Sequence, residues 1–137
     1  MAGAKPELLL SPQVQRLAAL PIPMVMATKR ADGRVQLNPI WFEHIDGAIW
    51  VNSNTHRSWP KHLQRDKEAA LLLVDPAEPD RYAQIHARLV EVMPDPKHEF
   101  IDRLSRRYTG KLFRDLEPGE ERITFKLEPV RVTGQMI

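Results

Sequence analysis

Two Asp-Gly pairs, Asp32-Gly33 and Asp46-Gly47, cut the segment from Met24 to Ser53 into three strand-length pieces. Asp and Gly accept the positive φ that the centre of a tight hairpin demands, so each pair turns the chain back antiparallel to itself. The pieces are Met24–Thr28, a longer run from about Val35 to Ile45, and Ala48–Ser53. Strands joined this closely build an antiparallel sheet, because parallel pairing needs a crossover of about a dozen residues or more. Ala69–Val74 adds a continuous apolar run, as expected of a strand covered on both faces. From Tyr82 the pattern alternates, with Ala83, Ile85, Ala87 and Leu89 on one face and Gln84, His86 and Arg88 on the other. Ile123, Phe125 and Leu127 alternate in a last strand, and the phase shift at Pro129 to Val130 and Val132 predicts a bulge or an edge position.

Helices fill the gaps. Ser11-Pro12 is a cap followed by a proline at the first helical position, and Val14, Leu17 and Ala18 recur at helical spacing. Ser58 is placed to cap a short helix from Trp59 to about Arg65. Asp95-Pro96 opens a third helix, whose apolar face is Phe100, Leu104 and Tyr108 with Ile101 beside them. The expected fold is mainly β (α+β): six antiparallel strands and about three short helices in one domain, residues 1–137. With so few strands, closure into a small barrel removes exposed edges.

Composition narrows the function. Hydrophobic residues make up 42% of the 137, enough for an ordinary core. Twenty basic and 18 acidic residues leave a formal net charge of +2, which offers no basic face to nucleic acid. The absence of cysteine excludes disulfides, thiolate metal sites and Cys nucleophiles, and fits a reducing cytoplasm. No apolar run approaches the ~20 residues of a membrane helix, and the leucine run in MAGAKPELLLSPQ is too short for a secretory signal. The five histidines form no i, i+4 pair, so no metal site is expected. Neither a nucleophile elbow nor a glycine-rich phosphate loop occurs. Glu120-Glu121 reads as part of a turn, and Arg106-Arg107 as structural cations near a helix C-terminus.

One stretch has the chemistry of an anion site. The third strand feeds Asn52, Ser53, Asn54 and Thr55 into a helix start, where the first N–H groups lack intrahelical partners and the dipole favours negative charge. Arg57 offers a bidentate grip, and Ser58 and Lys61 add donors within one turn. A capped surface helix with solvated basic residues is the competing reading. Trp41, Trp50 and Trp59 suit either a flat ligand or the core. His86, on the polar side of its strand, is placed to line a pocket.

Four stretches in order resemble a known family. They are ATKRADGRVQLNPIWFEHIDG (27–47), LLLVDPAEPDRYAQIHARLVEV (71–92), IDRLSRRYTGK (101–111) and PGEERITFKLEPVRV (118–132). From about Met24 onward the chain resembles the split β-barrel oxidoreductases that include pyridoxamine-phosphate-oxidase-like proteins, and within them the F420-dependent branch. The resemblance implies a homodimer with the cofactor in grooves at the subunit interface. It implies a hydride transferred from reduced F420 to an unsaturated small molecule. An FMN-binding flavoprotein and a non-catalytic ligand-binding barrel are the alternatives. Ser53, Asn54, Arg57 and Lys61 occupy positions similar to the family's phosphate contacts, with Ser58 and Trp59 between them. Asn38, Pro39 and Ile40 lie where its second strand passes the ring system. The chain departs from the family's Arg-x-Lys-x-Arg-Asn by carrying Trp59 for the lysine and His62 for the asparagine, and it has Ala87 for a strand glycine. These changes imply a remodelled phosphate site. No general acid stands out; Tyr82, His86 and a solvent molecule are the candidates for a proton donor.

Overall fold

Both Asp-Gly pairs form hairpins. Asp46 and Gly47 have φ of 50° and 80°, and Gly33 has φ of 87°. The computed structural model describes residues 10–134; the stretch read above for a secretory signal falls largely outside them. In chain order the elements are α1 (Pro12–Ala18), β1 (Met24–Lys29), β2 (Val35–Ile40), β3 (Glu43–Ile45) and β4 (Ala48–Asn54). There follow α2 (Ser58–Asp66), β5 (Glu68–Val74), β6 (Tyr82–Pro94), α3 (Glu99–Thr109) and β7 (Arg122–Gly134).

The strand expected from Val35 to Ile45 is two strands, so the sheet has seven, in the order β2-β1-β5-β6-β7-β4-β3. Every pairing in it is antiparallel. β2 pairs with β1, whereas β3 pairs with β4 at the opposite edge. Only Trp41 and Phe42 separate these edge strands in the chain, so the sheet curls until its two edges approach. The barrel is split: covalent chain, and not a hydrogen-bond ladder, closes it. The break falls where Phe42 turns into the core, fully buried, and its N–H donates to the Tyr108 hydroxyl at 3.2 Å.

Alternation places Met24, Met26, Leu71, Leu73, Ala83, Ile85, Phe125 and Leu127 inside the barrel. The phase shift in β7 is a bulge: His86 faces Arg131 and Ala87 faces Pro129, which makes Val130 the extra residue. Ser11 caps α1, with its Oγ accepting from Val14 N at 3.3 Å, and Val14, Leu17 and Ala18 are buried. Arg107 is structural, but through a different helix from its own. Its guanidinium donates to the Ala18, Ala19 and Leu20 carbonyls at the end of α1 and to Phe42 O.

Two helix starts differ from expectation. Ser58 is the first residue of α2 and Arg57 its N-cap, with no side-chain cap; Asn54 Oδ1 instead braces the turn before the helix, accepting from His56 N and Arg57 N, each at 3.0 Å. α3 begins at Glu99, four residues past Asp95, because Asp95 reaches forward to cap it. The Asp95 carboxylate accepts from Phe100 N at 3.2 Å and Ile101 N at 3.0 Å.

Candidate anion-binding site

The helix start supplies only half of the site; the other half comes from the beginning of β7. Trp59, Pro60 and Leu63 are the buried face of α2. Ser58 and Lys61 therefore fall on its exposed face. Arg57 stays at the rim, where the chain enters the helix. Trp59 is 2% exposed and packs its ring on Phe125 at 5.7 Å, so the residue that departs from the family pattern is part of the core. Its Nε1 and the Oγ of Ser53 are both buried and without a hydrogen-bond partner among the described residues. A buried donor without a partner costs free energy, which a ligand oxygen recovers.

Ser53 and Trp59 are among the residues that line a cavity of about 280 Å³. Pro39, Ile40 and Trp41 at the end of β2 form one wall, and Ile101 and Leu104 of α3 form another. Arg57, Arg114 and Arg122 line it together with Phe113. The Phe113 ring lies between two of these cations, 4.8 Å from the Arg114 guanidinium and 4.9 Å from that of Arg122. Trp41 stacks on Tyr108 at 5.2 Å and meets Phe113 edge-on at 6.4 Å, which makes the wall beside the arginines aromatic.

Glu120 organises the cations. Arg114 donates to both of its oxygens, at 2.9 and 3.2 Å, and Arg122 Nη1 donates to Oε2 at 2.9 Å. The Arg114 bond, helped by the Glu117 N–H and by Arg122, pulls the Glu120 carboxyl from 4.5 down to about 2. Burial pulls the Arg122 guanidinium below its ordinary value; Glu120 opposes the shift, and nearby Arg114 and Arg57 add to it. Arg114 and Arg122 thus share one carboxylate, and with Arg57 on the same lining the cavity wall carries positive charge that suits an anion.

Pro39, Ile40, Ser53, Arg57 and Trp59, all expected at the site, come together around this cavity. Asn38, Asn54, Ser58 and Lys61 do not line it. Asn54 is engaged in the turn that leads into α2, and the Oδ1 of Asn38 is buried without a partner among the described residues. Glu120, expected to be a turn residue remote from any pocket, instead holds two of its arginines. Phe113, Arg114 and Arg122 were not foreseen as site residues, and Asn52 was foreseen only as part of the strand that leads into the helix start. The available signal was polar residues in register on two strands: Asn52 faces Thr124 and Asn54 faces Arg122. Of the other departures from the family pattern, His62 bonds Thr28 Oγ1 at 3.2 Å and fastens α2 to β1, while Ala87 is buried.

A second cavity of about 700 Å³ lies near the C-terminal end of α2. Ala27, Ala69, Ala70 and Ala87 line it, with Lys29, Asp66, His86 and Arg88 among its polar residues. It is larger but shares no lining residue with the first, and nothing in it matches the buried, unpartnered donors of the arginine cavity.

No curated protein matches the chain. A solved F420 reductase is 26% identical, with a TM-score of 0.81 and coverage of 88% of this chain and 96% of that one. A conserved hypothetical protein from Mycobacterium tuberculosis is 21% identical with a TM-score of 0.68, covering 96% of this chain and 88% of its own. The heme storage protein HutZ from Vibrio cholerae is 15% identical with a TM-score of 0.66, covering 91% and 94%; both share the fold. The family model described as pyridoxamine 5'-phosphate oxidase matches residues 10–136, and the chain belongs to that family.

Proposed function

We propose that the protein is an oxidoreductase that works with F420, with FMN as the alternative cofactor, and that the cofactor's phosphate lies in the arginine cavity. The observation that carries this reading is the convergence of three guanidiniums with the buried, unpartnered Ser53 Oγ and Trp59 Nε1. Likeness to a solved F420 reductase favours F420. FMN stays open because it presents a phosphate to the same donors. At about 280 Å³ the cavity suits a phosphate and its neighbouring atoms; a fused ring system has to lie outside, along Pro39 and Ile40.

When bound, either cofactor supplies hydride chemistry from its ring to an unsaturated bond of a small molecule. The chain's own part is to hold and orient. The arginines fix the anionic end, and Ile40, Ile101 and Leu104 keep that end dry. Tyr82 and His86 are the candidates for a proton donor on the outer face of β6.

We also infer a homodimer. Two apolar rows cross β2, β1 and β5 on the side turned away from the core: Pro39–Val25–Leu72 and Leu37–Ala27–Ala70. Leu37 is 64% exposed in one copy. A second copy on this face would bury it and roof the alanine-lined cavity beside it. No helix among the described residues is long and apolar enough to cross a membrane. A cytoplasmic location is the proposal that agrees with a chain free of cysteine.

Titration of the purified protein with F420 and with FMN, followed by reoxidation of the reduced forms, tests the function. F420 binding with hydride transfer to an acceptor is the expected outcome. Binding of FMN alone moves the reading to the alternative cofactor, and failure of both to bind removes it.

A further inference from the structure

We propose that Arg122 is the residue that reads the charge of the bound anion, with Glu120 and Asn52 as its positioning residues. The inference rests on the reading that the arginine cavity receives a phosphate. Of the three cations, Arg122 alone is buried, at 8% exposure, whereas Arg57 is exposed and the Arg114 side chain is 49% exposed. Arg122 Nε donates to Asn52 Oδ1 at 3.0 Å and Nη1 to Glu120 Oε2 at 2.9 Å. Those two bonds use two of the five guanidinium N–H groups and leave both on Nη2 and one on Nη1 for a ligand. Asn52 is itself fixed, because its Nδ2 donates to Thr124 Oγ1 at 2.9 Å and to Asp95 Oδ2 at 3.2 Å, and the same Asp95 caps α3.

The guanidinium is thus oriented by β4, by the turn before β7 and, through Asp95, by α3. A side chain already fixed loses little rotamer entropy when it meets a ligand, while Arg57 must be immobilised at that moment. Burial also strengthens a charge-assisted bond that water would screen. The same carboxylate serves both Arg114 and Arg122, so Arg122 is held without being fully neutralised. Ser53 Oγ and Trp59 Nε1 are neutral donors and add hydrogen bonds but no charge.

The test compares each cofactor with its phosphate-free chromophore: FMN with riboflavin, and F420 with its bare deazaflavin. The ratio of the two affinities isolates the phosphate contribution, since a variant that only harms the fold lowers both together. Arg122→Met is expected to lower the ratio roughly 10- to 100-fold and leave chromophore binding unchanged, and Arg57→Met to lower it less than about tenfold. Asn52→Leu, which removes the acceptor for Nε, is expected to lower the ratio in the same direction as Arg122→Met. A folded Arg122→Met with the wild-type ratio, or a larger loss from Arg57→Met, overturns the proposal. If Arg122→Met does not fold, nitrogen NMR of the wild-type guanidiniums during titration with inorganic phosphate decides. A shifted Arg122 signal supports the inference; an unmoved Arg122 beside a shifted Arg57 refutes it. Should neither cofactor bind while phosphate still moves Arg122, the proposed function fails and this inference stands. Should FMN or F420 bind no better than its chromophore, this inference and the phosphate's place in the arginine cavity fail, while the oxidoreductase reading survives.

Discussion

Trp59 shows how one residue can mislead when read without its surroundings. As a letter in a motif it is a missing cation. In the structure it is a core side chain against Phe125 with one unpartnered N–H. A lysine there would bury an ammonium, so Trp59→Lys is expected to unfold the protein before it reports on phosphate. Trp59→Phe is the informative change: the donor goes, and the smaller ring keeps the site apolar while leaving a void in the core. It should lower the melting temperature without unfolding the protein and weaken phosphate-dependent binding by about two- to tenfold, the worth of one neutral hydrogen bond. Equal affinity in Trp59→Phe and wild type would remove the indole N–H from the site. Glu120 gives the pH signature at this scale. Its carboxyl is depressed in the folded state, from 4.5 to about 2, so below about pH 4.5 the unfolded chain takes up a proton that the folded one refuses. Stability should fall as pH drops from about 4.5 towards 2, and Glu120→Gln should flatten that part of the profile in thermal melts. The basis of this effect was hidden in the sequence because Glu120, Arg114 and Arg122 are ordinary turn and strand residues until β4 and β7 pair.

At the scale of elements, what was legible was local. Asp-Gly turns dictate their own hairpins, and the phase of β7 announces its bulge at Val130. The seam between β2 and β3 was not legible, because no residue near Trp41 signals a break and the choice of partner strand is made by residues far along the chain. What holds the seam is α3. Tyr108 donates from its hydroxyl to Ile22 O at 2.6 Å and accepts from Phe42 N, joining the helix to the entry of β1 and to the link between the edge strands. Tyr108→Phe is expected to destabilise the fold by about 1–3 kcal/mol, since it strands a buried N–H and a carbonyl together. The midpoint of urea unfolding measures this, and an unchanged midpoint would show that other contacts hold the seam.

For the whole molecule, the outward face of β2, β1 and β5 carries the main expectation. Its apolar rows were half visible in the sequence, where Val35 and Leu37 alternate with polar residues on the wrong side for a core strand. Leu37→Asp should convert a species of twice the chain mass into a single chain in light scattering, and should lower cofactor affinity if the second copy completes the groove. A wild-type protein that runs as a single chain at all concentrations would remove the dimer.

A barrel whose edge strands are joined by the Trp41–Phe42 link and by side chains of α3, with no ladder between them, also has a mechanical property that a fully laddered one lacks. β2 and β3 each share hydrogen bonds with one neighbour only, and Pro39, Ile40 and Trp41 stand both on this gap and on the wall of the arginine cavity. Spreading the gap stretches no rung of the sheet. A wider or narrower guest is therefore met by a small change in the barrel's girth, at little enthalpic cost, while the arginine grip on the other side keeps its shape.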